Sequence, residues 1–218
     1  MFPVSDVIPS RTTPYVTIGL IALNSLAFLL ELTMSNRELQ RFLMIYGAVP
    51  AYLSVSSIVT SMFLHSGWLH FGGNMLYLWI FGDNVEDRFG HGRFLAFYLF
   101  CGAIAVFGQV AVHPASLVPM IGASGAIAGV MGAYFVLYPH SRVLTAVFII
   151  FFIDLIEIPA VFFLGIWFPM QLFSGVGSIG ASAAGGGVAF WAHVSGFVTG
   201  LTFGLFRRWR DAMRPGYW

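Results

Sequence analysis

Charge is what this 218-residue chain lacks: only 9% of its residues are Asp, Glu, Lys or Arg, against about 25% in a soluble domain. Lysine is absent altogether, and all ten cations are arginine. With 58% hydrophobic residues, too few charges remain to wet the surface of a globule. A soluble domain, a disordered chain and a coiled coil are therefore excluded, and the chain reads as an integral membrane protein. The net charge of +1 comes without a basic cluster, so no nucleic-acid partner is expected. The single cysteine, Cys101, rules out an internal disulfide and suits a small buried hydrophobe. No Cys, His and carboxylate set has metal-ligand spacing, and H-E-x-x-H, P-loop and dinucleotide patterns are missing. Neither a metal nor another cofactor is expected.

The gaps between charges count the spans. Residues 12–30, 42–82, 94–141 and 158–206 contain no Asp, Glu or Arg, and a helix crossing the hydrocarbon needs about 20 residues. Six spans fit, at about 14–33, 69–86, 94–113, 124–139, 155–174 and 188–207. The fold class is an all-α membrane protein, a six-helix bundle whose fourth helix is short and recessed. Arg11, Arg88, Arg93, Arg142, Arg207, Arg208, Arg210 and Arg214 fall on the side of both termini, against Arg37 and Arg41 opposite. That bias makes residues 1–13 and the tail 208–218 cytoplasmic, and the first span reads as an uncleaved signal anchor. Residues 34–68 form a long outer loop, too apolar to float free, that lies partly in the interface as amphipathic helix. Residues 143–153, VLTAVFIIFFI, are too short to span and suit an interfacial segment or the start of span five. Residues 175–187, rich in Gly, Ala and Ser, are a candidate mobile lid.

Polar groups at membrane depth are costly and mark function. His70, Asn74, Ser124 and His193 all lie near the outer ends of their predicted spans and can converge at one depth. Ser124 sits in Gly122-Ala123-Ser124-Gly125, where small residues allow a tight turn, and it opens a helix too short to reach the membrane surface. A helix N-terminus offers unpaired N–H groups suited to a developing oxyanion. His193, Gly196 and Gly200 share one helix face. If that face packs on span four, an imidazole becomes available to take the Ser124 proton. No carboxylate is expected beside the pair, so it reads as a dyad. His70 and Asn74, four apart, present two donors on one face. The plainer alternatives are helix packing for the glycines and an interhelical hydrogen bond for His70 and Asn74. A transporter would need polar groups on both sides of the midplane, and here they cluster on one.

His70-Phe-Gly-Gly-Asn74, Gly122-Ala-Ser124-Gly125 and Ala192-His193-Val-Ser-Gly196-x-x-x-Gly200, in that order in a six-span chain, resemble the three signatures of the rhomboid intramembrane serine proteases. Gly82, Glu86 and Gly90, with Arg88, resemble the family's motif after the second helix. The resemblance covers about residues 14–207 and implies Ser124 as nucleophile and His193 as general base. It implies His70, Asn74 and the Ser124 N–H as oxyanion donors, and Gly122, Gly125, Gly196 and Gly200 as motif glycines. Residues 175–187, with Ser182, resemble the cap loop; Trp167, Phe168, Gln171 and Phe173 would lie beside an entering substrate helix. His65 resembles a second family histidine and is read as structural. Many members carry Tyr four residues after the serine, under the imidazole; here Ala128 stands there. Ile-Gly-Ala-Ser recurs at 179–182, which makes Ser182 a rival nucleophile on motif text, but the glycines after it cannot hold a rigid helix start. The implied activity is endopeptidase cleavage of transmembrane proteins near the outer face, in a bacterial inner membrane. The alternative is a non-catalytic rhomboid-like protein that binds transmembrane helices.

Overall fold

The computed structural model describes residues 2–149, 152–179 and 188–213. Helices occupy all six predicted segments: α1 (Tyr15–Leu32), α4 (Trp68–Phe89), α5 (His91–Val112), α6 (Ser124–Leu137), α7 (Ala160–Gly177) and α8 (Phe190–Ala212). Three of them, α1, α5 and α7, are long and apolar enough to cross a membrane. Two further helices, α2 (Asn36–Tyr46) and α3 (Val55–Thr60), form between α1 and α4. The apolar helices fit an integral membrane protein.

The all-α expectation needs correction. Strands β1 (Phe2–Asp6), β2 (Arg142–Ile149) and β3 (Phe152–Pro159) form an antiparallel sheet in the order β1-β2-β3. The apolar run after Arg142 is not the start of span five; it folds as a hairpin in register from Arg142↔Pro159 to Ile149↔Phe152. Its Val, Ile, Thr and Phe residues favour strands, and it is too short to satisfy its backbone as a membrane helix. Pairing consumes residues through Pro159, so α7 starts at Ala160 rather than 155. Arg142 and Glu157 pair across the hairpin at 3.5 Å, both exposed.

Two carboxylates, Glu86 fully buried and Asp6 half-buried, pin the end of the bundle opposite the candidate site. Glu86, fully buried, accepts from the backbone N–H of Val16 and Thr17, at 2.9 and 2.7 Å, and from the Thr17 hydroxyl. The His91 imidazole lies 2.6 Å away on its other side. One side chain on α4 thus satisfies orphan donors at the start of α1 and holds the start of α5. On β1, Asp6 accepts from the Tyr134 hydroxyl of α6 at 2.7 Å and from the Asn84 amide of α4 at 3.0 Å. Burial, opposed by the Tyr134 bond and aided by the Asp83 charge, pushes the Asp6 carboxyl up to about 6. The segment 1–13 is therefore stitched to the bundle from β1 onward.

The centre of the molecule is α6, with eleven of its residues buried. Its 14 residues make it about 21 Å long. It meets α8 on a shared glycine face: a Cβ at Gly200 would lie 2.5 Å from the Gly129 carbonyl carbon and 2.7 Å from its Cα. One at Gly196 would overlap the Gly125 carbonyl oxygen. Only glycine permits this backbone-on-backbone approach, which yields dispersion and Cα–H···O contacts in place of a hydrophobic driving force. Between α1 and α4, α2 buries none of its residues. Ala48 then exchanges two 2.9 Å backbone hydrogen bonds with Met120, fixing the approach to α6.

Candidate active site

The N-terminal end of α6 gathers the polar residues that stand out in the sequence. Gly122, with φ of +115°, makes a turn that L side chains rarely adopt, and its N–H donates to the Ser61 carbonyl at 2.8 Å. Ser124 is the first residue of α6, so its N–H is one of the unpaired donors of a helix start. The α6–α8 glycine contact carries His193 to the same level. The Ser124 hydroxyl and His193 Nε2 stand 2.8 Å apart.

The imidazole's other nitrogen, Nδ1, lies 2.8 Å from Oε1 of Gln171 on α7. An amide oxygen only accepts, so Nδ1 carries the hydrogen and Nε2 is left free to accept from Ser124. The Trp167 ring stands beside the imidazole with centroids 5.9 Å apart, and Phe168 stacks on Phe197 at 4.6 Å. With Ala128 offering no ring to the imidazole, the contacts that orient it come from α7. Trp167, Phe168 and Gln171, expected along a substrate entry side, turn inward against α8; Phe173 is exposed.

Across the turn, a Cβ at Gly122 would meet His70 Nε2 at 2.6 Å and Asn74 Nδ2 at 3.6 Å. Both side chains therefore close on the turn that presents Ser124. The Ser66 N–H approaches His70 Nδ1 at 3.4 Å, which makes Nδ1 an acceptor and Nε2–H a donor facing Gly122. Asn74 is buried and its Nδ2 has no hydrogen-bond partner. A buried donor left unsatisfied is costly, and here it sits beside the nucleophile's turn. A cavity of about 30 Å³ adjoins Ser124, lined by Met62, Gly102, Ala105, Met120, Ile121 and Ala192 among others. It has room for about one water or a methyl-sized group.

A family profile described as the rhomboid domain matches residues 52–210, well over half the chain. The chain belongs to the rhomboid family. Among curated rhomboid relatives, rhomboid protein 1 of Saccharomyces cerevisiae mitochondria is 28% identical over 173 residues, covering 74% of this chain and 46% of that protein. Rhomboid protease GluP of Bacillus subtilis is 43% identical over 76 residues, 35% of this chain and 14% of the relative. The human mitochondrial presenilin-associated rhomboid-like protein is 35% identical over 130 residues, 57% of this chain and 33% of that protein. This rhomboid chain spans less than half the length of these relatives.

Of the expected site residues, Ser124, His193, His70, Asn74 and the four motif glycines come together in this rhomboid fold. Ser182 and residues 180–187 of the cap loop, like 214–218 of the tail, lie outside the described residues. His65 is 1% exposed; its backbone N–H donates to both oxygens of Glu31 at 3.2 Å. Burial, with the nearby His70 adding to it, pushes its imidazole down to about 4. Glu31, a buried carboxylate at the C-terminal end of α1, serves this loop and not His193. Among the described residues no group of three or more His, Cys, Asp or Glu is placed to hold a metal ion. What the sequence did not disclose is the contact of Gln171 with His193. Its signal was a lone long amide in the charge-free run of 158–206.

Proposed function

We propose that this chain is an intramembrane serine endopeptidase acting through a Ser124–His193 dyad and an acyl-enzyme. The observation that carries the reading is the 2.8 Å bond from the Ser124 hydroxyl to His193 Nε2, with its acceptor tautomer set by Gln171. Ser124 Oγ attacks the peptide carbonyl carbon while its proton passes to His193 Nε2. The oxygen that gains charge receives hydrogen bonds from the Ser124 N–H, His70 Nε2–H and Asn74 Nδ2–H. Collapse breaks the C–N bond, the amine leaves with the proton from His193, and water activated by the same imidazole hydrolyses the ester. The substrate is a transmembrane protein whose helix unwinds near the outer face, because a helical peptide bond is shielded by its own hydrogen bonds. The small cavity beside Ser124 favours a small side chain at the cleaved bond.

All six long helices span the bilayer in this reading, with 34–67 as outer loop and the cap beginning only after α7 ends at Gly177 rather than at 175. The arginine distribution supports termini on one common side, the cytoplasmic one if the membrane is bacterial. The relatives divide between mitochondrial and Bacillus proteins, which removes the ground for choosing the bacterial inner membrane. Fluorophosphonate labelling and cleavage of a transmembrane reporter test the reading in reconstituted bilayers. Ser124→Ala and His193→Ala are each expected to lose at least about 10³-fold. Retained cleavage in Ser124→Ala would sink the assignment. Capture of the reporter without labelling or cleavage would point instead to the helix-binding alternative.

A further inference from the structure

Among the described residues α7 is the least embedded of the long helices: only Ala160, Leu164 and Gly175 are buried, against eleven residues in the shorter α6. Its interior holds Pro169, which has no N–H for the Gly165 carbonyl and weakens the helix there. The half before Pro169 is docked by Ala160 and Leu164. The half after it is tied to α8 by two hydrogen bonds. One runs from His193 Nδ1 to Gln171 Oε1 at 2.8 Å, the other from Trp191 Nε1–H to the Gly175 carbonyl at 3.0 Å. Both acceptors lie beyond the proline, and one donor is the base itself.

We propose that Gln171 is a positioning residue that makes the orientation of His193 conditional on the docking of the outer half of α7, with Trp191 as the second tie of the same latch. This rests on the dyad reading above. With α7 docked, Gln171 holds the hydrogen on Nδ1 and leaves Nε2 for Ser124. With the half beyond Pro169 undocked, that hold is lost, and Ser124 is deactivated until α7 docks again. Nucleophile activation is thereby confined to the closed site.

The test uses the full chain in bilayers, with fluorophosphonate labelling and cleavage of a transmembrane reporter. Gln171→Leu keeps bulk and removes the acceptor; it is expected to lower kcat and the labelling rate about tenfold with KM little changed. Gln171→Glu restores an acceptor and is expected to recover most of both. The ¹⁵N spectrum of His193 is expected to show one tautomer in the parent and a mixture in Gln171→Leu. Trp191→Phe touches no reacting atom, yet it is expected to slow labelling about threefold in the parent and not further in Gln171→Leu. Unchanged kcat and labelling in Gln171→Leu, a change in KM alone, or additive effects of the two variants would each overturn the latch. Failure of the dyad reading looks different: Ser124→Ala would still cleave, or the parent would not label.

Discussion

Gly200 lies two turns along α8 from His193 and touches no reacting atom, so Gly200→Ala isolates the close approach of α6 and α8. The new Cβ would stand 2.5 Å from the Gly129 carbonyl carbon and 2.7 Å from its Cα, where carbon atoms ordinarily keep about 3.5 Å. Neither atom can rotate away, because both are backbone. The Cβ would also overlap the Gly129 carbonyl oxygen outright, so the helices must part by at least about 1 Å. Carried along a rigid α8, that displacement takes the 2.8 Å Ser124–His193 bond to a length at which it is no longer a hydrogen bond. A misplacement of about 1 Å costs about 100-fold in rate, while overpacking of this kind costs about 1–3 kcal/mol in stability. The expected result is a folded protein with a modestly lowered Tm and a labelling rate down about 100-fold, measured well below the transition. Gly19→Ala, on α1 with nothing within 4 Å of the added Cβ, is the matched control and should label normally. A Gly200→Ala protein that labels within threefold of the parent would refute the claim that glycine contact sets the dyad distance.

Other residues give independent expectations. Asp6, held up to about 6 by burial, favours the folded state in its protonated form. That contribution is complete below pH about 4 and lost as pH rises through about 6. Asp6→Asn cannot ionise and can still accept from Tyr134. Discounted for partial exposure, it should raise Tm by about 2–4 °C at pH 8 and give no gain at pH 4, as thermal unfolding in detergent would show. Glu86→Ala strands the buried Thr17 donors and loosens the start of α1, and should cost about 1–3 kcal/mol, with Glu86→Gln milder in the same assay. Met62, 2% exposed and lining the cavity at Ser124, limits the room there. Met62→Ala should widen the range of side chains accepted at the cleaved bond, read from products of a substrate series, at a stability cost of about 2–5 kcal/mol.

Much of this was legible before any coordinates. In so apolar a chain the cost of burying polarity makes His70, Asn74, Ser124 and His193 conspicuous, and glycine spacing on one helix face foretells which helices can touch. The hairpin was harder to see, since an apolar run of 143–153 reads alike as strand or buried helix; pairing with β1, remote in sequence, decided it. Gln171 was placed by resemblance beside an entering substrate helix, whereas its partner is His193, 22 positions away on another element. Glu86 was matched as part of a motif, and only the fold shows that it closes the start of α1.

The sequence by itself determined the solvent, the helical segments and the residues able to do chemistry, because charge content, hydrophobic length and side-chain type are local properties. The tertiary structure decided the sheet at one end, the tautomer of His193 and the orphan amide of Asn74. Each of those depends on which group from a distant segment arrives within hydrogen-bonding distance, and no local pattern records that.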